Sequence, residues 1–204
     1  MDAQKKCVKA KEQEEEARRA WWRQVQSLDA RQMVFLDECG VNTAMHRRYG
    51  RSPKGTRCSG VVPRNWKSST TILGALSVQG VQAVMSLEGA TDRLAFEAFI
   101  EQVLLPTLMP GQIVVLDNLS AHKSPKAQKL VEEAGCSWLF LPPYSPDFNP
   151  IEMLWSKFKS DLRREAARTQ EHLDQIIWPL LQTATSQHAH NWFAHAGYHL
   201  MHPA

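Results

Sequence analysis

Two runs share one grammar, four apolar residues closed by an aspartate: MVFLD over residues 33–37 and IVVLD over residues 113–117. Short uninterrupted apolar runs predict strands buried on both faces, here each with its aspartate at the carboxyl end. Residues 70–78 (TTILGALSV) and 81–87 (VQAVMSL) flank Gln79-Gly80 and predict a hairpin. Residues 138–141 (WLFL) predict a further buried strand. Between these, Leu94, Phe96, Phe99, Ile100, Val103 and Leu104 recur at helical spacing over residues 93–105, with Pro106 and Pro110 as the stop. Ser124-Pro125 predicts a capped helix start, and Gly135 its end. Helices are expected from Pro150 to about Ala167 and over residues 169–187, the second interrupted by Pro179. Residues 1–30 read as a polar helical arm or linker ahead of one domain, residues 31–204, with Trp21 or Trp22 packed on it. Strand, hairpin, then alternating helices and strands argue for an α/β fold, a mixed sheet with helices on its faces.

A chain of 204 residues with 43% hydrophobic content can bury one core. Its apolar runs are far too short to span a bilayer, and no apolar stretch with a small-residue cleavage site follows the N-terminal lysines. A cytoplasmic location is therefore expected. Cys7, Cys39, Cys58 and Cys136 form no C-x-x-C pair, which excludes a zinc ribbon and a dithiol redox motif. Five histidines near the C-terminus, His188 to His202, come with no cysteine or acid and read as structural rather than zinc-binding. The net charge of +3 is modest but uneven. Arg47, Arg48, Arg51, Lys54, Arg57, Arg64 and Lys67 fall between Val41 and Thr70, a stretch without a single acid. Such a block is either a solvated loop or a contact for a polyanion, where each neutralised phosphate releases counterions.

If the two Asp-ending strands are neighbours, Asp37 and Asp117 meet beyond the carboxyl ends of the sheet, where open α/β sheets collect ligands. Two such carboxylates repel unless a cation bridges them, and hard oxygen donors favour magnesium or manganese. Taken singly, each aspartate is equally a turn residue. A third acid, Glu152, follows the proline-stiffened segment PPYSPDFNP, residues 142–150. Asn149 is placed to cap that helix, and Glu152 suits its N-terminal dipole. Glu152 reads either as part of a cap or as a carboxylate aimed at the two aspartates.

The segments VFLDECGVNT (34–43), RRYGRSPKG (47–55), VVLDNLSAHKS (114–124) and LFLPPYSPDFNPIEMLWSKFK (139–159) resemble mariner-superfamily DDE transposases, specifically the bacterial insertion-sequence branch. The 34 residues between Asp117 and Glu152 are similar to that branch's spacing. The resemblance implies an RNase H-like fold: a mixed five-stranded sheet, three antiparallel strands then two parallel, flanked by helices. It implies that Asp37, Asp117 and Glu152 are the catalytic acids and hold two Mg2+ ions, with Mn2+ able to substitute. It further implies cleavage of transposon-end DNA, strand transfer of the freed 3′-hydroxyl into target DNA, a homodimer on double-stranded DNA and TA target sites. Relatives carry helix-turn-helix modules; no such pattern precedes Met33, so the chain is expected to be the catalytic part, either encoded as a separate reading frame and served by a separately supplied module or truncated. The competing readings are a non-catalytic DNA-binding or regulatory fragment, and a general nuclease of RNA–DNA hybrids.

Supporting residues carry two readings each. Glu38, beside Asp37 but on the opposite strand face, either backs the site or faces solvent. Asn118 and His122, just after Asp117, either orient water, phosphate or a metal-bound carboxylate, or make local turn bonds. Lys123, Lys157 and Lys159, with Lys126, Arg163 and Arg164, either touch DNA phosphates or form a solvated face. Trp66, inside the basic block, either stacks on a base or packs in the core.

Overall fold

The computed structural model describes residues 11, 13–47, 49–63, 69–119 and 122–200. Arg48, Arg64, Trp66 and Lys67 lie outside the described residues.

Among the described residues the strands β1 (Met33–Val41), β2 (Thr70–Ser77), β3 (Gly80–Glu88), β4 (Ile113–Leu116) and β5 (Ser137–Phe140) form one five-stranded sheet in the order β3-β2-β1-β4-β5. The pairs β2–β3 and β1–β2 are antiparallel; β1–β4 and β4–β5 are parallel. This is the expected RNase H-like sheet. Ser77 faces Gly80 across the predicted hairpin, and Gly80 at φ +120° makes the turn available.

Side-chain alternation along β1 divides the core. Met33 and Phe35 face one cluster, built with α1 (Glu15–Val25), α4 (Ile151–Glu165), α5 (Gln170–Gln182) and α6 (Ser186–His195). Val34 and Leu36 face the other, built with α2 (Arg93–Ala98), the π-helical turn Phe99–Leu104 that continues it, and α3 (Pro125–Glu133). The same alternation sends Asp37 toward α4 and Glu38 toward α2 and α3.

Four local expectations are corrected. β1 does not stop at Asp37 but continues to Val41, because β2 pairs with it along Phe35–Val41. Its parallel pairing with β4, however, ends at Phe35–Val115, so Asp37 still stands at an open edge. Pro106 does not end the α2 segment; the chain tightens into a 3-10 turn, Leu105–Thr107, which tolerates proline in its first positions. Residues 169–187 are two helices: α5 passes through Pro179 and ends at Gln182, and α6 starts afresh with Thr185 accepting the His188 N–H. β5 is only half-buried, since it is the sheet edge. Ser124 caps α3 as expected, accepting the Ala127 N–H.

Trp21, Val25 and Ala30 belong to the main core, so α1 is seated on it. Trp22 lies edge-on to Phe148, ring centroids 4.9 Å apart. Arg18 holds Asp147 with both terminal nitrogens (3.0 and 2.6 Å), its guanidinium 3.8 Å from the Phe148 ring centroid. The Tyr198 hydroxyl donates to the Phe148 carbonyl at 2.7 Å. These contacts hold the segment before α4, and therefore the start of α4, in place.

Candidate functional site

β1, the end of β4, the end of β5 and the start of α4 surround a cleft of about 430 Å³. Asp37, Asp117 and Glu152 all line it, together with Asn118, Leu119, Leu141, the proline-rich turn and Asn149. Three acids separated by 80 and 35 positions in the chain thus share one cavity.

Each acid has its own environment. The Asp37 carboxyl is pushed up to about 7, first by burial and then by the charges of Glu152 and Asp117; the Glu38 N–H and the Trp155 indole act the other way. The Trp155 Nε1–H donates to Asp37 Oδ2 at 3.1 Å. Gly74 is Asp37's cross-strand partner on β2, and a Cβ there would come within 2.5 Å of the Trp155 ring. Asp117 is the first residue past β4. Its Oδ1 accepts from the Leu119 N–H (3.1 Å) and from His122 Nδ1 (2.6 Å). Burial raises its carboxyl pKa, but the bonds from His122 and Leu119 outweigh burial and the net shift is downward. Glu152 opens α4, and burial raises it; the Lys159 charge opposes and the Asp117 charge adds to the shift.

His122 is enclosed by protein, and its Nε2 lies 3.3 Å from Glu38 Oε1. Burial lowers its pKa, but the bonds to Asp117 and Glu38 prevail and push it to about 9. Both ring nitrogens then carry protons and both donate. Asn118 Nδ2 donates to the Leu141 carbonyl at 2.7 Å, tying the end of β4 to the end of β5.

Asn149 does not cap α4. Pro150 takes the cap position without a side-chain bond, and the Asn149 carbonyl accepts the Glu152 N–H at 3.2 Å. The Asn149 side chain is buried in the cleft wall, and its Oδ1 has no protein partner among the described residues. Proline at 150 starts the helix with a preset φ, so the asparagine is displaced to the position before it.

The basic residues divide by location. Arg47, Arg51, Lys54 and Arg57 are exposed on the long β1–β2 connection, and Lys123 is exposed just ahead of α3. The Lys157 ammonium is engaged by Asp161 (2.6 Å) and Thr183 (2.5 Å). Lys159 bears electrostatically on Cys39 and Glu152, close to the acids. A second cleft gathers Arg47, Arg163, Arg164 and Arg168 where the β1–β2 connection meets the end of α4. Sequence reasoning missed Trp155 and Gly74. Trp155 sits one turn after Glu152, a spacing that makes the two neighbours along α4. Nothing in the sequence marks Gly74.

The acid cluster offers carboxylate oxygens, with Asp117 already paired to the His122 ring. That donor set fits hard divalent ions. Among the described residues no three histidine, cysteine or acidic side chains are gathered closely enough to hold a metal ion as they stand. The acids face a shared cavity rather than one another's atoms.

Residues 32–174 match the family model described as DDE superfamily endonuclease. The chain is also similar in structure to the Mos1 strand transfer complex (13% identity, TM-score 0.69, 95% of this chain and 62% of that one). It is similar to the mariner Mos1 paired-end complexes solved with Mg (14%, TM-score 0.70, 96% and 64%) and with Mn (14%, TM-score 0.67, 98% and 68%). At these identities the likeness establishes the fold. The chain spans 62–68% of the length of those transposase chains. No curated protein matches it in sequence.

Proposed function

As the chain belongs to the DDE superfamily endonucleases, we propose that it is the catalytic part of a DNA transposase that cuts transposon-end DNA and joins it to target DNA. The observation that carries this is the convergence of Asp37, Asp117 and Glu152 on one cleft beside β1 and the carboxyl end of β4. In this reading residues 31–204 are the catalytic domain and residues 1–30 an arm seated through α1.

Asp37, Asp117 and Glu152 would hold two Mg2+ ions, with Mn2+ as a substitute; Mos1 was solved with each metal. Bound there, the ions supply Lewis acidity and charge neutralisation for the attacking and leaving oxygens of phosphodiester exchange. The chain's own residues do the positioning. Trp155 fixes one oxygen of Asp37, and His122 with the Leu119 N–H fixes one oxygen of Asp117. Hydrolysis adds the water oxygen to phosphorus and leaves a 3′-hydroxyl; joining exchanges one phosphodiester for another. Neither step requires a covalent protein intermediate, so the buried Cys39, with its thiol pushed up to about 11, has no nucleophilic part.

Arg47, Arg51, Lys54, Arg57 and Lys123, with Arg48, Arg64 and Lys67 outside the described residues, would meet the DNA backbone. Lys159 would meet a phosphate near the acids, while Lys157 reaches one only by leaving Asp161. The chain would act as a homodimer on double-stranded DNA, with a helix-turn-helix part supplied separately, in the cytoplasm at the nucleoid. No described helix is long and apolar enough to cross a membrane.

The test is cleavage of a labelled DNA duplex carrying the terminal repeats that flank the coding region, with Mn2+ and the neighbouring helix-turn-helix product. The reading expects nicking by the wild type and none by Asp117→Ala of unchanged melting temperature. Equal cleavage by both would overturn it.

A further inference from the structure

We propose that Glu38 and His122 form a clamp that sets the separation of Asp37 and Asp117; it rests on the reading of these acids as metal-holding. Backbone pairing between β1 and β4 ends at Phe35–Val115. Beyond it β1 follows β2, while Asp117 leaves the sheet, so no ladder bond joins the two acid-bearing segments. The His122 ring spans that gap. It reaches Asp117 at 2.6 Å through Nδ1 and Glu38 at 3.3 Å through Nε2.

Three features make the bridge a fixed strut. The His122 side chain has 0% exposure, and its ring lies against Phe96 with centroids 4.7 Å apart, which restricts its movement. Glu38 is adjacent to Asp37 in a strand, so the strand geometry transmits its placement directly to Asp37. On the other side His122 closes a turn with its own N–H on the Leu119 carbonyl (3.1 Å), in the segment that also binds Asp117. Among the described residues Asp117 is held by Oδ1 alone, which leaves Oδ2 for a ligand in the cleft. Glu38 and His122 are therefore positioning residues: they touch no reacting atom and act through the two aspartates. Groups of this kind commonly change metal affinity when removed.

The test is a double-mutant cycle read by calorimetric Mn2+ binding to the DNA-free chain, beside melting temperature. His122→Asn keeps an amide donor near the Nδ1 position but loses the reach to Glu38; Glu38→Ala removes the other end; Glu38→Gln keeps an acceptor oxygen. Each of the first two should weaken Mn2+ binding about tenfold, the range expected for groups behind a metal ligand. Glu38→Gln should stay within about threefold of wild type. The double variant should be no weaker than the worse single one, because both ends of one strut are already lost. Wild-type Mn2+ affinity in Glu38→Ala, or multiplied losses in the double variant, would overturn the clamp while Asp117→Ala still reports on the acid site. A wild type that binds no Mn2+ would overturn the clamp and the proposed function together.

Discussion

Gly74 and Trp155 are complementary: the one lacks the atom that the other's ring would strike. A Cβ at position 74 would lie 2.5 Å from the indole, and that indole donates to Asp37, the residue facing Gly74 across the sheet. The glycine is what lets a large side chain reach the strand that carries the acid. Gly74→Ala should therefore displace a buried ring. Overpacking of this kind costs about 1–3 kcal/mol, measurable by urea unfolding. Mn2+ binding should weaken as well, because Trp155 can no longer seat Asp37. Unchanged stability and unchanged Mn2+ binding would show that the ring has room to move.

Trp155→Phe separates the donor from the packing. Phenylalanine keeps an aromatic ring against the strand but removes the N–H that favours ionised Asp37. A lost hydrogen bond to a charged group weighs about 1.5–3 kcal/mol, so weaker Mn2+ binding is expected by calorimetry at fixed pH, with the fold retained by circular dichroism. Affinity equal to that of wild type would count against a role for the indole.

Arg18 links α1 to the segment that aims Glu152. It pairs with both oxygens of Asp147 and lies over Phe148. The ion pair is partly solvated, so Arg18→Ala should cost only about 1 kcal/mol, shared between the pair and the ring contact. The more telling readout is hydrogen exchange, where amides of α1 should exchange faster than in wild type while those of β1 and β4 do not. Uniform change across the sheet would contradict local docking.

The sheet was legible because five short apolar runs differ so sharply from the helical periodicities between them. The convergence of the three acids on one cleft was legible for a similar reason, since two apolar runs were closed by the same residue and a proline-stiffened segment preceded the third. What escaped depends on distance in the chain. Pairing with β2 carries β1 on to Val41, and no local pattern in DECGV announces it. The Asn149 cap failed because Pro150 competes for the same turn, and helix-start signals overlap there. Glu38 could be placed on the opposite face by alternation alone, but its partner His122 lies 84 residues away. Gly74 and Trp155 become related only once β2 and α4 lie on each other.

The metal-free protein should lose stability as pH rises. Asp37 has a folded pKa of about 7 against 3.8 unfolded, so the folded state holds a proton that the unfolded chain has released between those values. Its contribution is present at low pH and is lost as pH climbs toward 7. His122, with a folded pKa of about 9 against 6.5, contributes stability that is full below 6.5 and lost as pH passes 9. Asp117, shifted downward, acts only at the acid end, where its contribution disappears as pH falls through its folded pKa. Melting temperature in chelator should therefore fall between pH 6 and pH 9.5, and saturating Mg2+ should raise it more at the alkaline end. A flat profile in chelator would contradict the assigned environments.

The most direct measurement is anomalous diffraction from crystals of the chain soaked in Mn2+. Two manganese peaks among the carboxylates of Asp37, Asp117 and Glu152, both absent in Asp117→Ala crystals soaked alike, are the predicted result. Manganese bound only elsewhere on the chain, with these carboxylates unliganded at saturating metal, would contradict the account.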